Sequence, residues 1–123
     1  MRISREIMEI LEKRLMRRLR VNLPVSYQNI GEERNFGDTV AKDISTTGLR
    51  LNTASFFPPR SNVLVKIQFL EVNKIIEAMT QVVWSHRISF SDQYQAGLHF
   101  SEISPIFKKW LEEYILINEA LSR

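Results

Sequence analysis

The chain opens on a helical pattern. Ile3, Ile7, Ile10, Leu11 and Leu15 recur at helical spacing through residues 2–17, with no glycine or proline between them. Arg2/Glu6, Arg5/Glu9 and Glu9/Lys13 stand four apart, each pair worth about 0.3 kcal/mol on an exposed face. The period changes at Arg18. Leu19, Val21, Leu23, Val25 and Tyr27 then alternate with Arg20, Asn22, Pro24 and Ser26, which predicts a half-buried strand. Pro24 cannot donate to a ladder, so this strand is expected at an edge or bulged there. Residues 29–37 carry turn residues, and five further strand-like runs follow at 38–44, 47–53, 62–71, 75–86 and 94–100. Pro58-Pro59, Val72-Asn73-Lys74 and Ser91-Asp92-Gln93 separate them. A second helix closes the chain. Ser104 suits its N-cap and Pro105 its first position, and Phe107, Trp110, Leu111, Tyr114, Ile115 and Leu121 form one apolar face.

Six short strands between turn signals predict a mainly β domain, an antiparallel barrel or sandwich. Closing the barrel would remove exposed strand edges. The expected organisation is a basic amphipathic helix or arm at 1–17, the β domain at 18–101 and a C-terminal helix at 102–123 packed on it. With 123 residues, one modest core is the expectation.

Charge adds an asymmetry. The net charge is +3, but residues 1–20 hold seven basic side chains against three acidic ones, so the whole positive excess lies there. Its densest part runs from Lys13 to Arg20 and implies an anionic partner at that place. Cysteine is absent, which removes disulfides and thiolate chemistry. No signal-peptide pattern and no run of about 20 apolar residues is present, so a cytoplasmic location without a membrane span is expected. His86 and His99 lack the neighbours of a metal site, and no Gly-rich phosphate loop or nucleophile–base motif occurs. No enzyme, metal or cofactor is expected. Trp84 and Trp110 read as core residues, although an exposed aromatic could stack on a base.

Asp43-Ile44-Ser45-Thr46-Thr47-Gly48 lies between two strand runs. Asp43 and Ser45, two apart, are expected on one face. A carboxylate accepts two hydrogen bonds at once, and the N1/N2 edge of guanine offers two matching donors. Gly48 permits a turn at positive φ or a close ligand approach. The arginines supply planar forks for phosphate oxygens or the O6/N7 edge of guanine. The simpler reading of the hexapeptide is a turn capped by its own side chains.

These segments resemble a known family. Arg14-Leu15-Met16-Arg17-Arg18 is similar to the Arg-x-x-x-Arg motif of the PilZ domain, and Asp43 to Gly48 to its Asp/Asn-x-Ser-x-x-Gly motif. Val21 to Val25, Gly48-Leu49-Arg50-Leu51, Val82-Val83-Trp84 and Ala96 to Phe100 extend the likeness. The resemblance implies a six-stranded antiparallel β-barrel that binds cyclic di-GMP on its outer surface. It assigns the ligand to Arg14, Arg18, Asp43, Ser45 and Gly48; Arg17 and Arg20, which the resemblance does not assign, are close enough in the chain to supply extra phosphate contacts. It also implies a receptor or adaptor that changes conformation on binding and signals to a protein effector. If the first helix persists, Arg14 and Arg18 lie on one of its faces. The alternatives are a PilZ-like adaptor that does not bind the ligand and works through its helices, and a small nucleic-acid binder. Asp43 disfavours the last, because its charge repels phosphate. The two amphipathic termini make a homo-oligomer a further expectation.

Overall fold

The structure is a computed structural model that describes residues 4–5, 18–31 and 35–121. The expected helix over 2–17, with Arg14 and Arg17, lies outside the described residues apart from Ser4 and Arg5. Six strands follow: β1 Leu19–Asn29, β2 Phe36–Ile44, β3 Gly48–Thr53, β4 Asn62–Phe69, β5 Lys74–Arg87 and β6 Tyr94–Glu102. All neighbours are antiparallel, and they close a barrel in the order β1-β2-β3-β6-β5-β4. The six-stranded antiparallel barrel expected from the sequence is therefore the fold.

Alternation builds the core. Val63, Val65, Ile67 and Phe69 of β4 face inward, as do Leu49 and Leu51 of β3 and Ala96 and Leu98 of β6. Each large aliphatic side chain removed from water contributes about 1.5–3 kcal/mol before entropy is counted. The fourth strand ends earlier than expected, at Phe69, because Leu70–Val72 make a 3-10 turn. Asn73 follows in the left-handed conformation that short polar side chains tolerate. The first strand is bulged, but ahead of Pro24: its register with β2 shifts between Arg20 and Leu23, while Pro24 itself pairs in register with Val40. Its ladder with β4 begins only at Val25, so Pro24 stands beyond that pairing.

Aromatic side chains fill both mouths. At one, Phe57 is fully buried edge-on to Tyr27, with ring centroids 5.4 Å apart. At the other, the C-terminal helix Pro105–Leu121 covers the barrel. Leu111 and Ile115 are buried, and Phe69 meets Trp110 and Tyr114 edge-on at 4.8 and 4.9 Å. Lys74 Nζ lies over the rings of Phe107 and Trp110, a cation–π arrangement. Ser104 accepts the Lys108 N–H through its backbone carbonyl at 2.9 Å, which starts the helix. Leu121 departs from the expected apolar face: it is 77% exposed, the last described residue of the helix.

Candidate functional site on the outer face of the barrel

Asp43 reaches the outer face through a bulge. Ala41 of β2 faces the core, and strict alternation would send Asp43, two residues on, inward as well. Instead Ala41 pairs with Leu51 and Asp43 with Arg50, so Lys42 is an extra residue on its strand. Such an insertion re-aims the next side chain. Asp43 is thereby carried opposite Arg50, while Ile44 turns into the core opposite Leu49.

Two cations hold the carboxylate. Arg18 Nη1 donates to Oδ1 at 2.6 Å, and Arg50 Nε stands 2.8 Å from Oδ2. The Asp43 side chain is only 7% exposed, whereas Arg18 and Arg50 are 50% and 40% exposed. Although Arg50 Nε is close to Oδ2, its N–H makes no aligned hydrogen bond. That contact is an ion pair by proximity, while Arg18 makes the directional bond. The two sequence segments are thus joined by a charge-assisted pair.

Ser45 is spent on the turn. Its hydroxyl oxygen accepts the N–H groups of Thr47 and Gly48, both at 3.2 Å, and lies 3.0 Å from Thr47 Oγ1 and 3.4 Å from the Gly48 carbonyl. Ser45 N–H donates to the Gly48 carbonyl at 2.8 Å, and Phe100 N–H to the Thr47 carbonyl at 2.8 Å, pinning the turn to β6. The hydroxyl thus follows the self-capped turn that the hexapeptide suggested. Gly48 has no positive φ. Its requirement is steric: a Cβ there would stand 2.0 Å from the Leu98 carbonyl oxygen. The need for glycine comes from the β6 backbone, not from the turn dihedral expected from the sequence.

Among the arginines, Arg18 is placed on Asp43. Arg20 pairs in register with Asp43 across β1 and β2 but lines a separate groove of about 500 Å³ between β1, the Leu70–Val72 turn and the C-terminal helix. Arg14 and Arg17 lie outside the described residues.

The sequence reading missed three contributors. Arg50 faces outward between the buried Leu49 and Leu51, and only pairing reveals its neighbour Asp43. Trp84, read as core, lies on the outer face. Val82 pairs with Leu98 and Trp84 with Gly97, so Val83 is an extra residue and Trp84 turns outward. It stacks on the exposed His86, centroids 5.2 Å apart and planes 21° apart. Gly97 makes room for it, since a Cβ there would meet the indole Nε1 at 2.4 Å. The signal was present as Val82-Val83-Trp84, three apolar residues in succession where a strand should alternate. Pairing thus sets Arg20, Asp43, Arg50, Gly97 and Trp84 in one transverse row across five strands. Such a row offers charge recognition on one side and a ring for stacking on the other. Among the described residues no group of His, Cys, Asp and Glu could hold a metal ion, and no helix is long and apolar enough to cross a membrane.

Solved structures share this barrel. The inhibitor of motility MotI/DgrA of Bacillus subtilis superposes with a TM-score of 0.75 at 21% identity, over 86% of this chain and 51% of that one. MrkH of K. pneumonia in its apo state gives 0.67 at 20% identity, over 86% and 50%. The PilZ domain of YcgR from Escherichia coli, solved with c-di-GMP, gives 0.65 at 11% identity, over 88% and 92%. The chain thus spans about half the length of the first two. No curated protein matches it. The PilZ domain model matches residues 12–116, a span that runs from the arginine cluster through the barrel into the closing helix, and the chain belongs to the PilZ domain family.

Proposed function

We propose that this domain is a receptor for cyclic di-GMP that binds it on the outer face of the barrel and passes the signal to a protein effector. The observation that carries this reading is the Arg18–Asp43 pair. It joins the arginine segment to the Asp-x-Ser-x-x-Gly turn on an open face that also carries an outward tryptophan three strands away. PilZ domains are receptor and adaptor modules rather than enzymes, and the YcgR domain and MrkH have both been solved with this ligand.

In this reading the Asp43 carboxylate takes the N1 and N2 donors of one guanine. Arg18 leaves Asp43 and turns its fork to a phosphate or a guanine O6/N7 edge, with Arg14, four residues earlier in the sequence, as second clamp. Ser45 supports this by holding the turn that presents Asp43, and Gly48 by letting that turn lie against β6. Trp84 offers a π-face to a base, with Arg17 and Arg20 as further cations. Exchanging Arg18 from Asp43 to ligand couples occupancy to the position of the segment before β1. That is the differential contact a population shift requires. A homo-oligomer through the terminal helices and an effector docking there belong to the same proposal.

Calorimetric titration of the folded chain with cyclic di-GMP, cyclic di-AMP and GMP tests it. Saturable heat with the first alone is expected. No heat with cyclic di-GMP would overturn this reading and leave the adaptor that works without ligand.

A further inference from the structure

Arg18 and Arg50 hold the same carboxylate in different ways. Arg18 precedes the first residue of β1, is half exposed, and donates a well-directed bond to Oδ1. Arg50 sits inside β3, its backbone paired with Asp43 on one side and Gly97 on the other. Its Nε is buried and 2.8 Å from Oδ2, yet that N–H lacks an aligned acceptor. A buried donor left unsatisfied costs about 1–3 kcal/mol and calls for an explanation. One is at hand. In this arrangement Oδ1 takes the Arg18 bond, while Oδ2 lies close to the Arg50 Nε but off the axis of its N–H. Removing Arg18 frees the carboxylate to turn toward Nε.

We propose that Arg50 is the positioning residue for base recognition: once ligand has drawn Arg18 away, the Arg50 Nε–H takes the Asp43 carboxylate and fixes the plane in which it accepts the guanine N1 and N2 donors. The proposal rests on the cyclic di-GMP reading of this face. Arg18 and Arg50 then serve the two states of one carboxylate. Arg18 satisfies it when the face is empty, and Arg50 orients it when the face is filled. The choice of Nε matters, since it is the donor nearest the stem of the side chain and moves least as the guanidinium swings. The rigid fork cannot be replaced by an ammonium. Arg50 would act through Asp43, so its effect is confined to what Asp43 reads.

The experiment uses the full chain, its Arg50→Leu and Arg50→Lys variants, and each of these combined with Asp43→Ala. Affinities are measured for cyclic di-GMP and for cyclic di-IMP, whose hypoxanthine bases lack the exocyclic amine. Thermal unfolding confirms that each variant is folded. Arg50→Leu is expected to weaken cyclic di-GMP by about tenfold or more, the value of one charge-assisted hydrogen bond, and cyclic di-IMP much less. Arg50→Lys should fall with it, and neither substitution should weaken binding further once Asp43 is alanine. Should Arg50→Leu weaken both ligands equally and keep that effect without Asp43, Arg50 contacts the phosphates directly and the proposal is overturned. It is overturned too if Arg50→Leu binds as the parent does. An unfolded Arg50→Leu passes the decision to Arg50→Lys, which keeps the stem and the charge. Absence of cyclic di-GMP binding by the unaltered chain overturns the functional reading itself, a result distinct from either failure of Arg50.

Discussion

Asp43 and Trp84 stand in one transverse row of the barrel, three strands apart by way of Arg50 and Gly97, and each is turned outward by one extra residue in its strand. Lys42 does this for Asp43 and Val83 for Trp84. Both side chains would otherwise follow Ala41 and Val82 into the core, where an unpaired carboxylate would be costly. Two bulges at one level bring a charged pair and an indole onto the outer face of the barrel.

Asp43→Ala should weaken cyclic di-GMP binding by about 1–3 kcal/mol, the worth of a charged hydrogen bond at a partly buried site. Thermal stability should change less, because Arg18 and Arg50 are each at least 40% exposed and can turn to water. Titration and unfolding of the same preparation measure the two effects side by side. An equal loss in both would assign Asp43 to the fold rather than to the ligand.

Gly97→Ala places a methyl group 2.4 Å from the Trp84 indole. The ring must lift off β6, at an overpacking cost of about 1–3 kcal/mol. Indole fluorescence should report the displacement, and cyclic di-GMP affinity should fall as it does in Trp84→Ala. Full affinity in Trp84→Ala would remove the ring from the recognition face.

Gly48→Ala should destabilise the domain in the absence of any ligand, since its Cβ would stand 2.0 Å from a backbone oxygen of β6. Backbone cannot give way as a flexible side chain can, so a loss of roughly 2 kcal/mol or more is expected. Urea unfolding of the free protein checks it. Unchanged stability with lost ligand affinity would show that the glycine serves the ligand directly.

Phe69→Ala removes the ring on which Trp110 and Tyr114 both rest. A loss of about 3–5 kcal/mol is expected for a buried aromatic. Near-ultraviolet circular dichroism should show both helix aromatics losing their fixed environment. If the helix signal survives intact, the barrel mouth is not what holds the helix.

Tyr114 carries a raised pKa, first because burial disfavours the phenolate and second because Glu71 is negatively charged nearby. The folded state therefore keeps its phenolic proton to higher pH than the unfolded state. The stability tied to that proton is complete below the ordinary tyrosine range near 10 and is lost as pH rises through the folded value. Tyr114→Phe should flatten the fall in stability above that point. An unchanged alkaline slope would place the titrating group elsewhere.

Local pattern was enough for the six strands and the last helix, and for most of their inward faces. Alternation in Leu19 to Tyr27 and Val63 to Phe69, turn residues between the strands, and Ser104-Pro105 before the last helix all act through neighbours in the chain. Asp43 could be singled out too, because an aspartate followed by Ser45 and Gly48 is a short-range pattern. What no local pattern could decide was orientation at the bulges. Whether Asp43 faces water or core depends on Lys42 being extra relative to β3, which is a relation between two strands. For Trp84 the run Val82-Val83-Trp84 signals a break in alternation, but which of the three is extra is set by pairing with β6. The need of Gly48 for a bare Cα likewise comes from the Leu98 carbonyl 50 residues away. Arg50 stood unremarked between two leucines until pairing set it beside Asp43. The sequence alone determined which segments are strands and which residues carry charge. Only closure of the barrel decided which of those charges meet, because register between distant strands is set by how the whole set of side chains packs.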